Sequence, residues 1–385
     1  MRPKILFTAF QVAHQSNGGM ESSTRIFEAL SDRYDWTFVT TRETHFNPRW
    51  RDSGAQVAVC PFDEQADRLR RGAAYLAWSS SIFRCIASRG IDLIHANDTR
   101  AFNAASLPAL LLRKPLVMTV RDTKGAGEPY GRVWRQAARQ CRNIITLSSE
   151  MGEVMAENIG AAPSKLRTIN SIVDLVRFAP PTPDGRRAAR AALGIAEGEF
   201  AIGCIGVIRD KKNQRELIER ALPEVVAQAP SSRIHFFGDF KPERDRYTAE
   251  CAAAVSRMGL SNNVVFHGHL SDMAGTIKAL DAIVIGARHE GLARAMIEGM
   301  ACAVPVVSFA VCSAREMLAA TGSGIVVPMG DYGGLAAALV RLALEPEMRT
   351  AIGIRGRRTA EERFNMQRIS NDYLALYEEV LSHAC

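Results

Sequence analysis

Short apolar runs of four to eight residues alternate along the chain with longer stretches whose apolar positions recur every three or four residues. The first pattern is that of buried parallel strands, the second that of amphipathic helices, and their alternation predicts βα units. In the first half the runs are Lys4–Phe10, Trp36–Thr40, Ala55–Val59, Ile91–His95, Leu116–Val120, Asn143–Leu147 and Leu166–Asn170. A second series follows at Phe200–Val207, Arg233–Phe237, Asn263–His267, Ala282–Ile285, Val304–Ser308 and Gly324–Val327. Between them, Phe178-Ala-Pro-Pro-Thr-Pro-Asp-Gly is the most proline-rich segment and the best linker candidate. The last stretch, Met366–Leu381, carries Ile369, Tyr373, Leu376, Tyr377 and Val380 at helical spacing and reads as a closing helix.

The expected architecture is therefore α/β, with two doubly wound, Rossmann-like domains facing a central cleft. The boundaries are 1–175, 176–365 and a closing helix at 366–385. A length of 385 residues suits two such cores. With 47% hydrophobic and 23% charged residues, disorder is excluded as a reading. The opening Met-Arg-Pro-Lys-Ile-Leu-Phe-Thr-Ala-Phe is too short an apolar run for a signal peptide and reads as the first strand; no later stretch is long enough to span a bilayer. Eight scattered cysteines without a Cys-x-x-Cys pair point to reduced thiols and a cytoplasmic protein.

The net charge of +7 is uneven: residues 1–175 hold 23 Lys/Arg against 17 Asp/Glu, and residues 176–385 hold 25 against 24. The basic excess of the first half suits anionic headgroups, a phosphate-bearing acceptor, or solubility alone. After Arg121, the residues Arg132, Arg135, Arg139 and Arg142 recur at three- and four-residue intervals beside Trp134. They form either a solvated helix face or a peripheral contact with anionic membrane at its cytoplasmic side. No DNA-reading module or aromatic-basic platform is present, so nucleic acid is not an expected partner.

Ligands in doubly wound folds bind beyond the carboxyl ends of the strands, and the chemistry-bearing residues follow strands. After Ala282–Ile285 comes Ala287-Arg-His-Glu-Gly-Leu-Ala-Arg-Ala-Met-Ile-Glu-Gly-Met-Ala-Cys-Ala-Val-Pro-Val-Val. Glu290 falls in the loop, Gly291 permits close backbone approach, and a helix starting near Leu292 would turn free N–H groups toward a ligand. Glu298 lies eight residues on, roughly two turns, near the same azimuth at about 3.6 residues per turn. Two glutamates so spaced also suit an ordinary helix face. After Phe200–Val207 the cluster Arg209-Asp-Lys-Lys-Asn-Gln precedes a helix with Asn213 at its capping position. It is either a solvated loop or a set of cations placed to stabilise a leaving phosphate. After the first strand, Ser16-Asn-Gly-Gly places Gly18 and Gly19 where a tight loop can aim amides at a phosphate, or merely turn.

The string Glu-Gly-x-x-x-x-x-x-Glu-Gly-Met-Ala-x-x-x-Pro-Val-Val at 290–307 resembles the signature of retaining family 4 glycosyltransferases of the GT-B fold. The resemblance covers nearly the whole chain, but only this segment is highly specific. It implies that Glu290 contacts donor-sugar hydroxyls, that Glu298 holds the ribose, and that amides near Gly291, Leu292 and Ala293 meet sugar and diphosphate. A family Gly-Arg-Leu-x-x-x-Lys pattern places its lysine on Lys212; its arginine falls on Val207, with Arg209 two residues later as a stand-in. Gly18 and Gly19 match the family's glycine pair. The implied activity moves a sugar, with retention, from a nucleotide sugar to a glycan or lipid-linked acceptor, with no cofactor and no metal. No Asp-x-Asp occurs to hold a cation, and His235, His267, His269 and His289 lack ligand spacing.

The chain also departs from the family. Arg121 stands where a histidine usually faces the donor sugar, Asn97 replaces the second histidine of a His-x-His whose first is His95, and Ala303 replaces a common glycine before Pro305. Arg121 is permanently charged and forks toward anions, so it would contact a donor sugar altered at C6, or the acceptor, or form a local ion pair with Asp122 or Asp98. These departures leave two alternatives open: another enzyme on the same fold, such as a nucleotide-sugar epimerase, or an inactive partner subunit. A phosphorylase would need a pyridoxal lysine, for which no motif is present.

Overall fold

The computed structural model describes residues 2–11, 18–63, 67–124 and 128–383. The chain divides into two compact units, Met1–Ile172 with Met366–Cys385, and Val173–Asn365. The proline-rich stretch after Phe178 lies inside the second unit. There Phe178 is buried and Thr182 caps a helix by accepting from the Gly185 amide, so the prolines start a helix and do not form a linker.

In chain order the first unit contains β1 (Lys4–Ala9), α1 (Gly18–Leu30), β2 (Asp35–Thr40), α2 (Phe46–Asp52), β3 (Gln56–Val59), α3 (Arg68–Arg89) and β4 (Leu93–Ala96). It continues with α4 (Thr99–Leu111), β5 (Leu116–Thr119), α5 (Arg132–Gln140), β6 (Asn143–Thr146), α6 (Ser149–Ile159) and β7 (Leu166–Thr168). All seven strands are parallel, in the order β3-β2-β1-β4-β5-β6-β7. Central strands such as Leu93–Ala96 are buried at every position, because a parallel sheet is covered on both faces.

The second unit contains α7 (Pro183–Ala192), β8 (Phe200–Ile205), α8 (Gln214–Arg220), α9 (Leu222–Gln228), β9 (Ser232–Phe237), α10 (Arg246–Arg257) and β10 (Val264–Gly268). Then come α11 (Met273–Lys278), β11 (Ala282–Ile285), α12 (Arg294–Ala301), β12 (Val306–Phe309), β13 (Gly324–Val327), α13 (Tyr332–Leu344) and α14 (Pro346–Arg363). Its six parallel strands run β10-β9-β8-β11-β12-β13. Asp281 anchors α7 to this sheet, accepting from Arg186 and Arg190 at 2.8 and 2.9 Å and from the Ala201 amide at 2.9 Å.

The final helix, α15 (Met366–Ser382), returns to the first unit. Ile369, Tyr373, Leu376, Tyr377 and Val380 are all buried there, in one cluster with Phe7, Trp36 and Phe38. Phe38 in turn stacks on Trp50 with centroids 4.2 Å apart. Among the described residues, no helix is long and apolar enough to cross a membrane.

Candidate active site

In the second unit, successive strands are added on one side of β8 and then on the other side of β11, so the chain reverses direction across the sheet at the β8/β11 pair. Loops leaving the carboxyl ends of such a pair diverge and open a crevice for ligand. The β8 loop carries Lys212, at the end of a 3-10 turn over Asp210–Lys212. The β11 loop carries Glu290. The two side chains meet as an ion pair across the reversal point, and the Glu290 residue is only 8% exposed.

Local backbone chemistry explains how the lysine arrives there. Gly206, just after β8, has φ +137°, and the Lys212 side chain runs 3.7 Å from where its Cβ would stand. A Cβ on Gly238, after β9, would stand 2.2 Å from the Gly206 carbonyl oxygen, so glycine is needed there too. The two loops are also tied to each other. The Arg288 amide donates to the Lys211 carbonyl at 2.9 Å, and its guanidinium pairs with Asp210 at 2.7 Å and Glu216 at 3.2 Å.

Helix α12 begins at Arg294, two residues later than expected, with Ala293 at the N-cap position and no capping side chain. Glu290 therefore lies outside the helix, and the same-azimuth argument for it and Glu298 does not hold. Glu298 is instead an interior residue of α12, 8% exposed, and accepts from Arg294 Nε at 2.9 Å, one turn before it. Leu292 and Ala293 are buried between them.

Ser313, which the sequence reading did not single out, orients this segment. Buried and at φ +75°, it donates from Oγ to the Gly291 carbonyl at 2.6 Å. In a trans peptide the following N–H points the opposite way, so the Leu292 amide is turned away from Ser313. Behind α12, Ala303 takes a left-handed φ of +58°, the conformation that favours glycine at the position where the family has one. Arg209 is extended and exposed at the start of the 3-10 turn, its amide donating to Gln214 Oε1 at 3.3 Å. Val207 beside it is exposed. Asn213 sits at the N-cap position of α8 in a left-handed conformation but makes no cap; its side-chain Nδ2 donates to Tyr332 Oη at 2.7 Å.

The first unit has the same reversal, between β1 and β4. Asp98 bridges the loops after these two strands, accepting from the Phe10 amide at 2.9 Å and capping α4 through the Ala101 amide at 2.8 Å. Gly18 and Gly19 form the first turn of α1; Ser16 and Asn17 lie outside the described residues. Arg121, after β5, turns its guanidinium onto Asn97 Oδ1, with Nε at 3.0 Å, and onto Ser23 Oγ at 2.8 Å. Of the segment that follows Arg121, Gly125–Gly127 lie outside the described residues.

His95 is fully buried beneath these groups. Its Nδ1 is 2.6 Å from Tyr377 Oη and its Nε2 2.8 Å from Thr119 Oγ1. Burial, with the nearby Arg121 charge, holds its pKa down to about 3, so the ring is neutral. The remaining sequence candidates for chemistry form no metal site. His235 lies 2.9 Å from His267 and 2.8 Å from Glu199, and among the described residues no cluster of ligating side chains can hold a metal ion. The four most enclosed thiols (Cys141, Cys204, Cys251 and Cys302) all have pKa values raised by burial, Cys204 up to about 12.

Two parallel-sheet units, each with loops diverging at its reversal point, define the GT-B class of fold. The sequence family described as Glycosyltransferase Family 4 matches residues 17–177, and that described as Glycosyl transferases group 1 matches residues 199–345. The chain belongs to this glycosyltransferase family. It is 31% identical over 204 residues to a GDP-mannose-dependent monoacylated alpha-(1-6)-phosphatidylinositol monomannoside mannosyltransferase of Corynebacterium glutamicum, a match covering 51% of each chain. Hence the chain spans about half the length of that relative. It is 26% identical over 358 residues to the 2-deoxystreptamine N-acetyl-D-glucosaminyltransferase of Streptomyces fradiae, covering 85% of this chain and 83% of that one. The crystal structure of HepE from Anabaena in complex with UDP-glucose superposes with a TM-score of 0.81, at 22% identity over 98% of this chain and 99% of that one.

Proposed function

We propose that this protein transfers a sugar from a nucleoside-diphosphate sugar to a glycan or lipid-linked acceptor, with retention of configuration and without a metal, in the synthesis of a glycolipid or cell-surface polysaccharide. The observation that carries this reading is the Lys212–Glu290 pair at the β8/β11 reversal. It puts a cation beside a sugar-hydroxyl acceptor at the ligand crevice, next to the uncapped amide end of α12. When the bond from the anomeric carbon to phosphate oxygen breaks, charge grows on the leaving diphosphate. Lys212, with Arg209 at the rim and the amides of Leu292 and Ala293, stabilises it without a bound ion. The acceptor oxygen bonds to the anomeric carbon from the face the phosphate leaves, and its proton passes to a phosphate oxygen. No protein base is then required. Glu298 receives the ribose hydroxyls in exchange for its bond to Arg294.

On this reading the second unit binds the donor and the first the acceptor. The chain works in the cytoplasm, at the inner face of the membrane where its acceptor is lipid-linked. The test is slow hydrolysis of a panel of nucleoside-diphosphate sugars, with and without EDTA, followed by NMR of the released sugar. One donor hydrolysed to its retained anomer, undiminished by EDTA, is the expected result. An epimerised nucleotide sugar would assign another enzyme on this fold; no turnover of any donor would assign an inactive partner subunit.

A further inference from the structure

The solvent-facing side of a surface helix is ordinarily polar. In the first unit α3 reverses this. Its inward face carries the buried Trp78, Ile82, Cys85 and Ile86, while Leu69, Leu76 and Phe83, seven residues apart, form a crest on the outer face. Leu69 is 85% exposed and Leu76 69%. The positions between them on the crest, Ala73 and Ser80, and Ala87 one turn beyond Phe83, are small and exposed. The neighbouring α4 repeats the feature over its last turn, where Leu107, Leu110 and Leu111 are each more than half exposed. The two helices pack side by side, and α5 packs against α4. Exposed apolar side chains gathered on adjacent helices mark a surface meant to be covered.

Charge decides what covers it. Helices α3, α4 and α5 together contain nine arginines and no aspartate or glutamate. Arg70, Arg71 and Arg84 flank the leucine crest, and Arg132, Arg135 and Arg139 are exposed on α5. Arg142 lies beyond the end of α5, as the residue leading into β6. Asp67 caps α3 and sits 3.4 Å from Arg70. A two-fold contact with a second copy would set arginine against arginine. Nucleic acid would leave the leucines uncovered.

We propose that the outer faces of α3, α4 and α5 dock on an anionic lipid bilayer, with the leucines and Phe83 entering the headgroup–acyl boundary and the arginines meeting the headgroups. Apolar side chains between basic ones are what such a boundary binds, and each basic residue strengthens binding roughly fivefold. The proposal rests on the lipid-linked acceptor reading above for its purpose and on these helices alone for its physics.

The test is flotation of the full chain with vesicles of phosphatidylcholine alone and of phosphatidylcholine mixed with phosphatidylglycerol, at low and high salt. The unaltered chain should float with the anionic vesicles at low salt only. Leu76→Ser with Leu110→Ser should weaken this about tenfold or more, as should Arg132→Glu with Arg135→Glu. Ile354→Ser, at an exposed apolar position of the second unit, should leave flotation unchanged. Because all these side chains are exposed, melting temperatures should not move, and donor hydrolysis should persist in every variant. Equal flotation of the leucine variant and the unaltered chain overturns the proposal. So does a lipid-free dimer that the leucine variant abolishes, which would make the occupant a second copy, or RNA binding with the same losses. A chain that hydrolyses donor but never floats refutes the docking surface alone; one that floats but hydrolyses no donor refutes the transferase reading alone.

Discussion

Lowering the pH from 7 to 5 should destabilise the first unit through His95. The ring is enclosed by Tyr377, Thr119, Tyr373 and the edge of Phe7, with the Arg121 charge nearby, and its pKa is depressed to about 3. In the unfolded chain it titrates near 6.5. The unfolded state therefore binds the proton first. Stability present above about pH 6.5 is lost as pH falls from there toward 3, because folding must expel the proton. At pH 5 the gap is about 1.5 pH units, and at 1.36 kcal/mol per unit the loss attributable to this residue is about 2 kcal/mol. All four tryptophans, Trp36, Trp50, Trp78 and Trp134, lie in the first unit, so fluorescence during urea unfolding reports that unit and not the second. With a urea slope of about 2 kcal/mol/M, the midpoint should fall by about 1 M between pH 7 and 5 from His95 alone. The variant His95→Gln keeps a donor and an acceptor but cannot titrate. Its midpoint starts lower, yet its fall with pH should be smaller than that of the unaltered chain by the same 1 M. Parallel falls would refute the reasoning, since they would mean that His95 protonates inside the folded unit.

Two further predictions concern the paired groups. Lys212→Met should lower kcat about 10²–10³-fold with the donor found by hydrolysis screening, and should lower the far-UV melting temperature by removing the cation paired with the buried Glu290 carboxylate. Adding Glu290→Gln should restore the melting temperature and not kcat; recovery of both would show that the lysine is purely structural. For Arg121 and Asn97, a double-mutant cycle to alanine, read by tryptophan fluorescence, should give a coupling of about 1–2 kcal/mol. Additivity within about 0.5 kcal/mol would mean that the two side chains do not hold each other.

The strand runs were legible along the chain because a parallel strand buried on both faces is a continuous apolar word bounded by polar turns. The closing helix was legible for the complementary reason: five apolar residues at helical spacing can be satisfied only by packing, and α15 buries all five. Glu290 and Glu298 could be singled out because they stand in a dense motif, and Lys212 because it follows a strand in a basic cluster. The pairing of Lys212 with Glu290 left no mark in either segment. The start of α12 was not legible, because Ala293 carries no capping oxygen and leaves no local mark. Ser313 was missed because its role depends on the carbonyl of Gly291, which is 22 residues away in sequence and near only once β11 and β12 are paired. The leucine crest of α3 was missed for a deeper reason. Apolar residues at helical spacing read as core, and only the packing of Trp78 and Ile82 inward shows that Leu69 and Leu76 face out.

The two departures of the first unit from its family look independent in sequence, one at 97 and one at 121. In the structure they touch. Arg121 presents a fixed fork of donors and no acceptor, so a partner at 97 must offer an oxygen. Asn97 does, and Ser23 adds a second acceptor on α1. A neutral histidine at 97 would offer one ring nitrogen with a single lone pair, where the Asn97 oxygen accepts from two guanidinium nitrogens at once. An arginine at 121 and an asparagine at 97 thus suit each other. The consequence reaches His95, the one member of the family's pair that remains. A permanent cation near a buried imidazole favours its neutral form, and Tyr377 from the closing helix fixes how that ring is hydrogen-bonded. The charge at the end of β5 is therefore supplied by a residue that cannot titrate and is held at two points, while the titratable ring beneath it is kept neutral. A fixed positive group at the carboxyl edge of the first unit follows from these four side chains taken together, and from none of them alone.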